Sequence, residues 1–385
     1  MISKYIFEKL KTGFYGFILC MVFNSSGVAD EFEYYSDKDK TYEYIQKMQK
    51  AVDPKCEVRA QWELDNVTKA LRKIAYNNCN GNKQCSEKLY EKIMLKSFGS
   101  MILPTRCESY ISYGILSRLV KIVESIEIDK EKTTRKFPKF GTFLSPSFNA
   151  SVTEDPYDNG YIVLFNYTLF THINEFVKAV LYYEEIKNSS NSQIKLEHLI
   201  FSLARNTAYI ITKGRVRKSE NLPFVNLTLD LLQDIVDTIE LFVVFHEYSH
   251  VKLNHTASHA MPLEYAPNIS HLNRGQKQEL AADLLASETL EKHLSKSQLF
   301  NNHKSEKIHG DVMFLTMVEI FEDAMKLAEK KIENTHPTAK IRLSVLFKNR
   351  KNNYSDHDLG MKFRQNALLL WSETRSSYQK LLNLE

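Results

Sequence analysis

The chain lacks an excess of charge of either sign: 51 Lys and Arg stand against 47 Asp and Glu, a formal balance of +4 over 385 residues. A phosphate backbone is held by a field of basic side chains, so nucleic acid binding has no support. A membrane-length apolar run is missing too: Phe14 to Phe23 falls short of the roughly 20 uninterrupted apolar residues a spanning helix needs, and no later segment supplies them. There is no C-x-x-C pair, which argues against a cysteine metal site, and no internal repeat. What remains, at 43% apolar residues, is a globular chain with length enough for about two domains.

The N-terminus reads as a secretory signal. A lysine-bearing start, Met1 to Lys11, precedes the apolar run, and small residues at Gly27 and Ala29 fit cleavage after Ala29, leaving no stable membrane span. Cys20 falls inside that segment. Cys56, Cys79, Cys85 and Cys107 are then an even set in one stretch, as expected of a periplasmic or secreted protein with two disulfides. Of three possible pairings, Cys79 with Cys85 closes a small Asn/Gly-rich loop and Cys56 with Cys107 encloses it; four free buried thiols in a cytosolic protein is the competing reading.

The expected organisation is a signal over residues 1–29, a helical module over 30–138 carrying the four cysteines, and a larger domain over 139–385. Helical spacing of apolar residues marks Ala70 to Tyr76, Leu89 to Leu95 and Ile111 to Ile126. The charged stretch Asp129 to Lys139 breaks this pattern and reads as a linker. Tyr161 to Phe165 is rich in strand formers, and helices are expected over Leu169 to Tyr183, Leu232 to Leu253, Gln276 to His293, Asp311 to Ile332 and Pro337 to Phe347. The fold class is α+β, predominantly helical.

Chemistry concentrates at His246-Glu247-Tyr248-Ser249-His250, inside the long apolar helix. One turn separates the histidines, so both imidazoles leave the same face and can bind one Zn²⁺, while Glu247 stands beside the open coordination position. Chance produces this pattern in roughly 2% of chains of such composition, so a third ligand decides. The metzincin arrangement needs a glycine at position 253 and a histidine at position 256, where Leu253 and Thr256 stand. On a continuing helix His255 points about 140° from His250, which makes it a packed or exposed residue. Glu279 fits better: Glu279-Leu280-Ala281-Ala282-Asp283 puts two carboxylates one turn apart, with Asp283 able to accept the free N–H of a ligand histidine and the alanines allowing close approach of the helices.

These segments, together with Thr335-His336-Pro337 and Arg342, resemble the gluzincin metallopeptidases, in particular the branch holding the prenyl-protein proteases, membrane heat-shock proteases and periplasmic quality-control proteases. The Lit-type peptidases are a near alternative. The resemblance covers about residues 232 to 347. It implies a zinc endopeptidase, mostly helical around the site, with Glu279 as third ligand and a small sheet whose edge strand receives substrate, for which Tyr161 to Phe165 is the expected segment. Ser249 and Thr338 depart from the family's usual glycine and second proline, and the spanning helices of the membrane-embedded relatives are missing.

His336 has two readings: a donor to the oxyanion of a tetrahedral intermediate, worth about 3 kcal/mol, or part of a helix start capped by Thr335, with Arg342 in a structural ion pair. The functional expectation is peptide hydrolysis of protein or peptide substrates, with one zinc per chain on His246, His250 and Glu279, Glu247 as base, His336 beside the site, and Asp283 and Arg342 behind it. A catalytically silent, chaperone-like zinc protein and a cytosolic host-defence peptidase are the alternatives.

Overall fold

The computed structural model of the chain describes residues 36, 38–98, 103–128, 136–143, 150–187, 193–213, 229–255, 269–296, 308–330, 336–349, 354–355 and 357–383. The signal segment, Thr335, Tyr265 and the polar loop Asn188 to Ser192 lie outside the described residues.

Among the described residues, four helices precede the sheet: α1 (Lys40–Val52), α2 (Cys56–Asn78), α3 (Lys83–Phe98) and α4 (Tyr110–Ile128). Both disulfides take the expected pairing, Cys56 with Cys107 and Cys79 with Cys85. The Asp39 carboxylate caps α1 through the Thr41 amide at 2.8 Å and binds Lys139 Nζ at 2.9 Å, so one side chain starts the helix and docks it on the sheet. Helix α4 contributes Ile115, Leu116, Leu119 and Val123 to the large core it shares with the C-terminal helices.

The sheet has three strands, β1 (Lys139–Phe143), β2 (Ala150–Glu154) and β3 (Tyr161–Asn166), in the order β1-β3-β2. Strand β3 runs parallel to β1 and antiparallel to β2, and all six of its residues are buried. This corrects the expectation that Tyr161 to Phe165 forms an edge. An unbroken apolar run marks a strand covered on both faces, and its neighbours on both sides leave no edge for a substrate. The edges are β1 and β2. On β1, the Thr142 amide donates to Glu108 Oε2 at 2.9 Å and its carbonyl accepts from Gln49 Nε2, so the N-terminal helices occupy that edge.

Among the described residues, seven helices follow: α5 (Tyr167–Lys187), α6 (Gln193–Lys213), α7 (Leu229–Lys252), α8 (Arg274–Lys296), α9 (Gly310–Leu327), α10 (Ala339–Asn349) and α11 (Leu359–Leu382). Helix α7 lies at the centre, touching α4, α5, α8, α9, β2 and β3. It is apolar nearly all round, with Ile235, Val236, Ile239, Phe242, Val243 and Val244 buried, as a helix enclosed on every side must be. Gly310 lets α9 lie against the α7 backbone, because a Cβ there would collide with the Thr238 carbonyl. The fold is α+β and predominantly helical. Among the described residues, no helix is long and apolar enough to cross a membrane.

Candidate metal centre

Any ionisable side chain on a helix as enclosed as α7 needs compensation. His246 and Glu247 are buried there, and His250 follows one turn later. Helix α8 lies along this face, brought close by the buried Ala281 and Ala282. Three ligand-type atoms, one each from His246, His250 and Glu279, all fall within 4.8 Å of one another. The two Nε2 atoms are 3.2 Å apart; Glu279 Oε2 is 3.3 Å from that of His246, and Oε1 is 3.4 Å from that of His250. Glu279 Oε2 is buried without an aligned hydrogen-bond donor.

Behind the cluster, His246 Nδ1 lies 3.0 Å from Asp283 Oδ1. Arg342, from α10, donates to both oxygens of Asp283, through Nε at 2.7 Å and Nη2 at 2.6 Å. This two-pronged pairing fixes the carboxylate, and through it the His246 ring. His336 stands in front, its Nε2 3.3 Å from Glu279 Oε2; at 34% its side chain is far more exposed than those of His246 at 8% and Glu279 at 12%, so the cluster opens on the His336 side. The start of α10 is capped from α9: Glu322 accepts from the Ala339 amide at 3.0 Å.

The electrostatics describe a pocket that draws positive charge. Burial acts to lower the His246 pKa, but Asp283 and Glu279 outweigh it and raise the value to about 10. Burial acts to raise the carboxyls of Glu279 and Asp283; the neighbouring histidines in one case, and Arg342 and His246 in the other, hold both below the usual carboxylate range, Glu279 well below it. Glu247 differs. Burial, with Glu279 adding to it, raises its carboxyl despite attraction to His246 and His250. Among the described residues its carboxylate has no hydrogen bond or ion pair.

A match to the family described as Peptidase U49, the Lit-type peptidases, spans residues 229–363. It supports a peptidase. The matched segment runs from the start of α7 into α11 and contains every residue of this cluster; the sheet and helices α1 to α6 lie outside it. No curated protein and no solved structure matches the chain.

One neighbour of the cluster differs from its expected placement. Helix α7 does not continue past Lys252: Asn254 adopts φ 55°, its amide donates to the Val251 carbonyl at 3.1 Å, and the His255 amide donates back to the His250 carbonyl at 3.0 Å. This is a Schellman ending with asparagine in the left-handed position. It folds His255 back, so that its Nδ1 lies 3.0 Å from His250 Nδ1 instead of about 140° around a continuing helix. The available signal was Asn254 itself, asparagine being the non-glycine residue that best tolerates that conformation.

Proposed function

We propose that the protein is an exported zinc-dependent endopeptidase, with His246, His250 and Glu279 as metal ligands and Glu247 as the base. The observation that carries this reading is the mutual spacing of the three donors. Zinc bonds of about 2.0–2.2 Å to nitrogen and oxygen give a tetrahedron with edges of about 3.3–3.6 Å. The two histidine nitrogens stand close to one such edge apart, at 3.2 Å, and the Glu279 carboxylate faces both, with Oε2 3.3 Å from His246 Nε2 and Oε1 3.4 Å from His250 Nε2. Two histidines and one carboxylate are a hydrolytic donor set that leaves a fourth position for water. The buried Glu279 Oε2, which has imidazole nitrogens nearby but no aligned hydrogen bond, and the pull on positive charge support a cation there.

When bound, zinc supplies polarisation of a carbonyl and a water acidic enough to lose its proton near neutrality. The chain's own residues do the rest. Asp283 accepts the Nδ1 proton of His246, which leaves Nε2 as its donor to the metal, and Arg342 keeps Asp283 ionised in that role. Glu247, its carboxyl raised by burial, takes the proton of the attacking water and delivers it to the leaving amine. His336, at the open side, is placed to donate to the carbonyl oxygen as charge develops on it. Among the described residues, β2 is the edge strand left for an extended peptide to pair with, because β3 is interior and β1 is covered at Thr142. The two disulfides support an oxidising, exported setting over the cytosolic host-defence alternative, which expects free thiols.

The test is metal analysis joined to digestion of a peptide library by the purified chain. Glu247→Gln should retain one zinc and lose cleavage by at least about a hundredfold; full residual activity would remove Glu247 from its role. Glu279→Ala should lose most of its zinc, and unchanged metal content in that variant would put the third ligand elsewhere.

A further inference from the structure

We infer that His255 is a positioning residue, whose Nδ1 accepts the Nδ1–H of His250 and so fixes the tautomer and ring plane in which His250 Nε2 faces the metal. The inference rests on the metal reading above and deepens it. His250 directs Nε2 at His246 Nε2, 3.2 Å away, and at Glu279 Oε1, 3.4 Å away, so Nε2 is its ligand atom. A ligand nitrogen carries no proton, so the proton of the neutral ring sits on Nδ1 and requires an acceptor. For His246 that acceptor is Asp283, a carboxylate. For His250, among the described residues, it is the ring nitrogen of His255 at 3.0 Å. The opposite arrangement, with His255 donating, would put the His250 proton on Nε2 and aim it into the donor cluster. The metal-competent state therefore makes His255 a neutral acceptor with its own proton on Nε2.

The backbone is built to hold His255 there. The left-handed turn at Asn254 carries it back over His250, and the Tyr161 hydroxyl donates to Asn254 Oδ1 at 2.5 Å. Gln278, next to Glu279 on α8, donates to the His255 carbonyl at 3.3 Å. Tyr161 opens β3 and pairs with Glu154, the last residue of the open strand β2. The strand proposed to receive substrate is thus joined through Tyr161, Asn254 and His255 to the second histidine ligand. The two ligand histidines are supported unlike each other, one by an ionised carboxylate and one by a neutral imidazole.

The experiment measures zinc affinity by chelator competition in the wild type, His255→Phe and His255→Asn, with thermal unfolding of the metal-free proteins and the visible spectrum of their cobalt(II) forms. Phenylalanine keeps the ring volume and removes the acceptor; asparagine puts Oδ1 where Nδ1 was. His255→Phe should bind zinc about 10- to 100-fold more weakly and shift the cobalt bands, with His255→Asn within about threefold of wild type. The metal-free proteins should unfold together, because the bond matters only once the ligand tautomer is imposed. Equal zinc affinity in the wild type and His255→Phe, or an asparagine variant as weak as phenylalanine, overturns the role of His255 and leaves the metal centre intact. A wild-type chain that takes up no zinc overturns both.

Discussion

Glu108, beside the Cys56–Cys107 bridge, and Glu279, on α8, are both buried carboxylates, yet their surroundings treat them in opposite ways. Glu108 is met by neutral donors: the Thr142 amide at 2.9 Å, the Thr142 hydroxyl and Gln49 Nε2 at 2.9 Å. Those bonds, with a smaller pull from the Arg59 charge, fall short of the cost of burial, and the carboxyl is raised to about 7. Glu63 follows the same rule, raised by burial although Ser109 and the Ile111 amide donate to it. At the cluster, charge prevails over burial, and Glu279 and Asp283 are held low by imidazoles and a guanidinium. Neutral donors are enough to use a carboxyl as a clamp between α1, β1 and the disulfide segment. A carboxylate that must stay ionised in the interior needs positive partners, and this difference sets the C-terminal cluster apart from the buried carboxyls of the N-terminal region.

The largest effect that would break this comparison comes from removing the positive partner. Arg342→Met leaves Asp283, only 1% exposed, without the guanidinium that saturates both its oxygens. Breaking a buried pair from one side costs about 3–5 kcal/mol, read as urea unfolding of the metal-free protein. Adding Asp283→Leu to that variant should recover much of the loss, since no uncompensated charge then remains. A loss below about 1 kcal/mol in the single variant would mean that His246 alone suffices to compensate Asp283.

For Glu108 the comparison is sharpened by pH. In the folded chain the carboxyl stays protonated up to about 7, while in the unfolded chain it ionises around 4.5. Between these values the folded state binds more protons, so this group's contribution makes stability fall as pH rises through the window. The full difference is on the order of 3 kcal/mol. Glu108→Gln cannot ionise and should lie closest to wild type near pH 4.5 and gain on it steadily towards pH 7. Parallel stability curves for the two proteins would show that the Thr142 and Gln49 donors fully stabilise the anion.

The parts of this architecture visible in the sequence were those written in short-range spacing. His246, His250, Glu279 and Asp283 are each placed by one helical turn, and the two core helices follow from the apolar repeat around them. The cysteine pairing followed from one short loop. Strands β1 and β2 escaped notice because each is five residues long and β2 is half-exposed, without a clean alternation. Helices α6 and α11 were not anticipated either, and the interior position of β3 depends on partners that no local pattern names. The direction of His255 is illegible for a different reason: helical spacing extrapolated past Lys252 points it away from His250, whereas one left-handed residue, Asn254, reverses the chain.

A third carboxyl, Glu240 on α7, gives the smallest expected effect and the finest test of the contrast. It is 1% exposed, and neither oxygen has a hydrogen-bond partner. The nearest cation, Arg118, stands 3.8 Å away and spends its two-pronged contact on Asp237, at 2.6 and 2.7 Å. Burial, and then repulsion from Asp237, raise the Glu240 carboxyl well above the carboxylate range against the pull of Arg118. It therefore belongs with Glu108 as a carboxyl that burial neutralises, but it lacks even the neutral donors. A buried polar group without partners stabilises nothing that an apolar side chain of equal length would not. Glu240→Met should leave stability within about 1 kcal/mol of wild type or raise it, with zinc content unchanged. A loss of more than about 3 kcal/mol would assign Glu240 a charged pairing with Arg118 and place it with Asp283 instead.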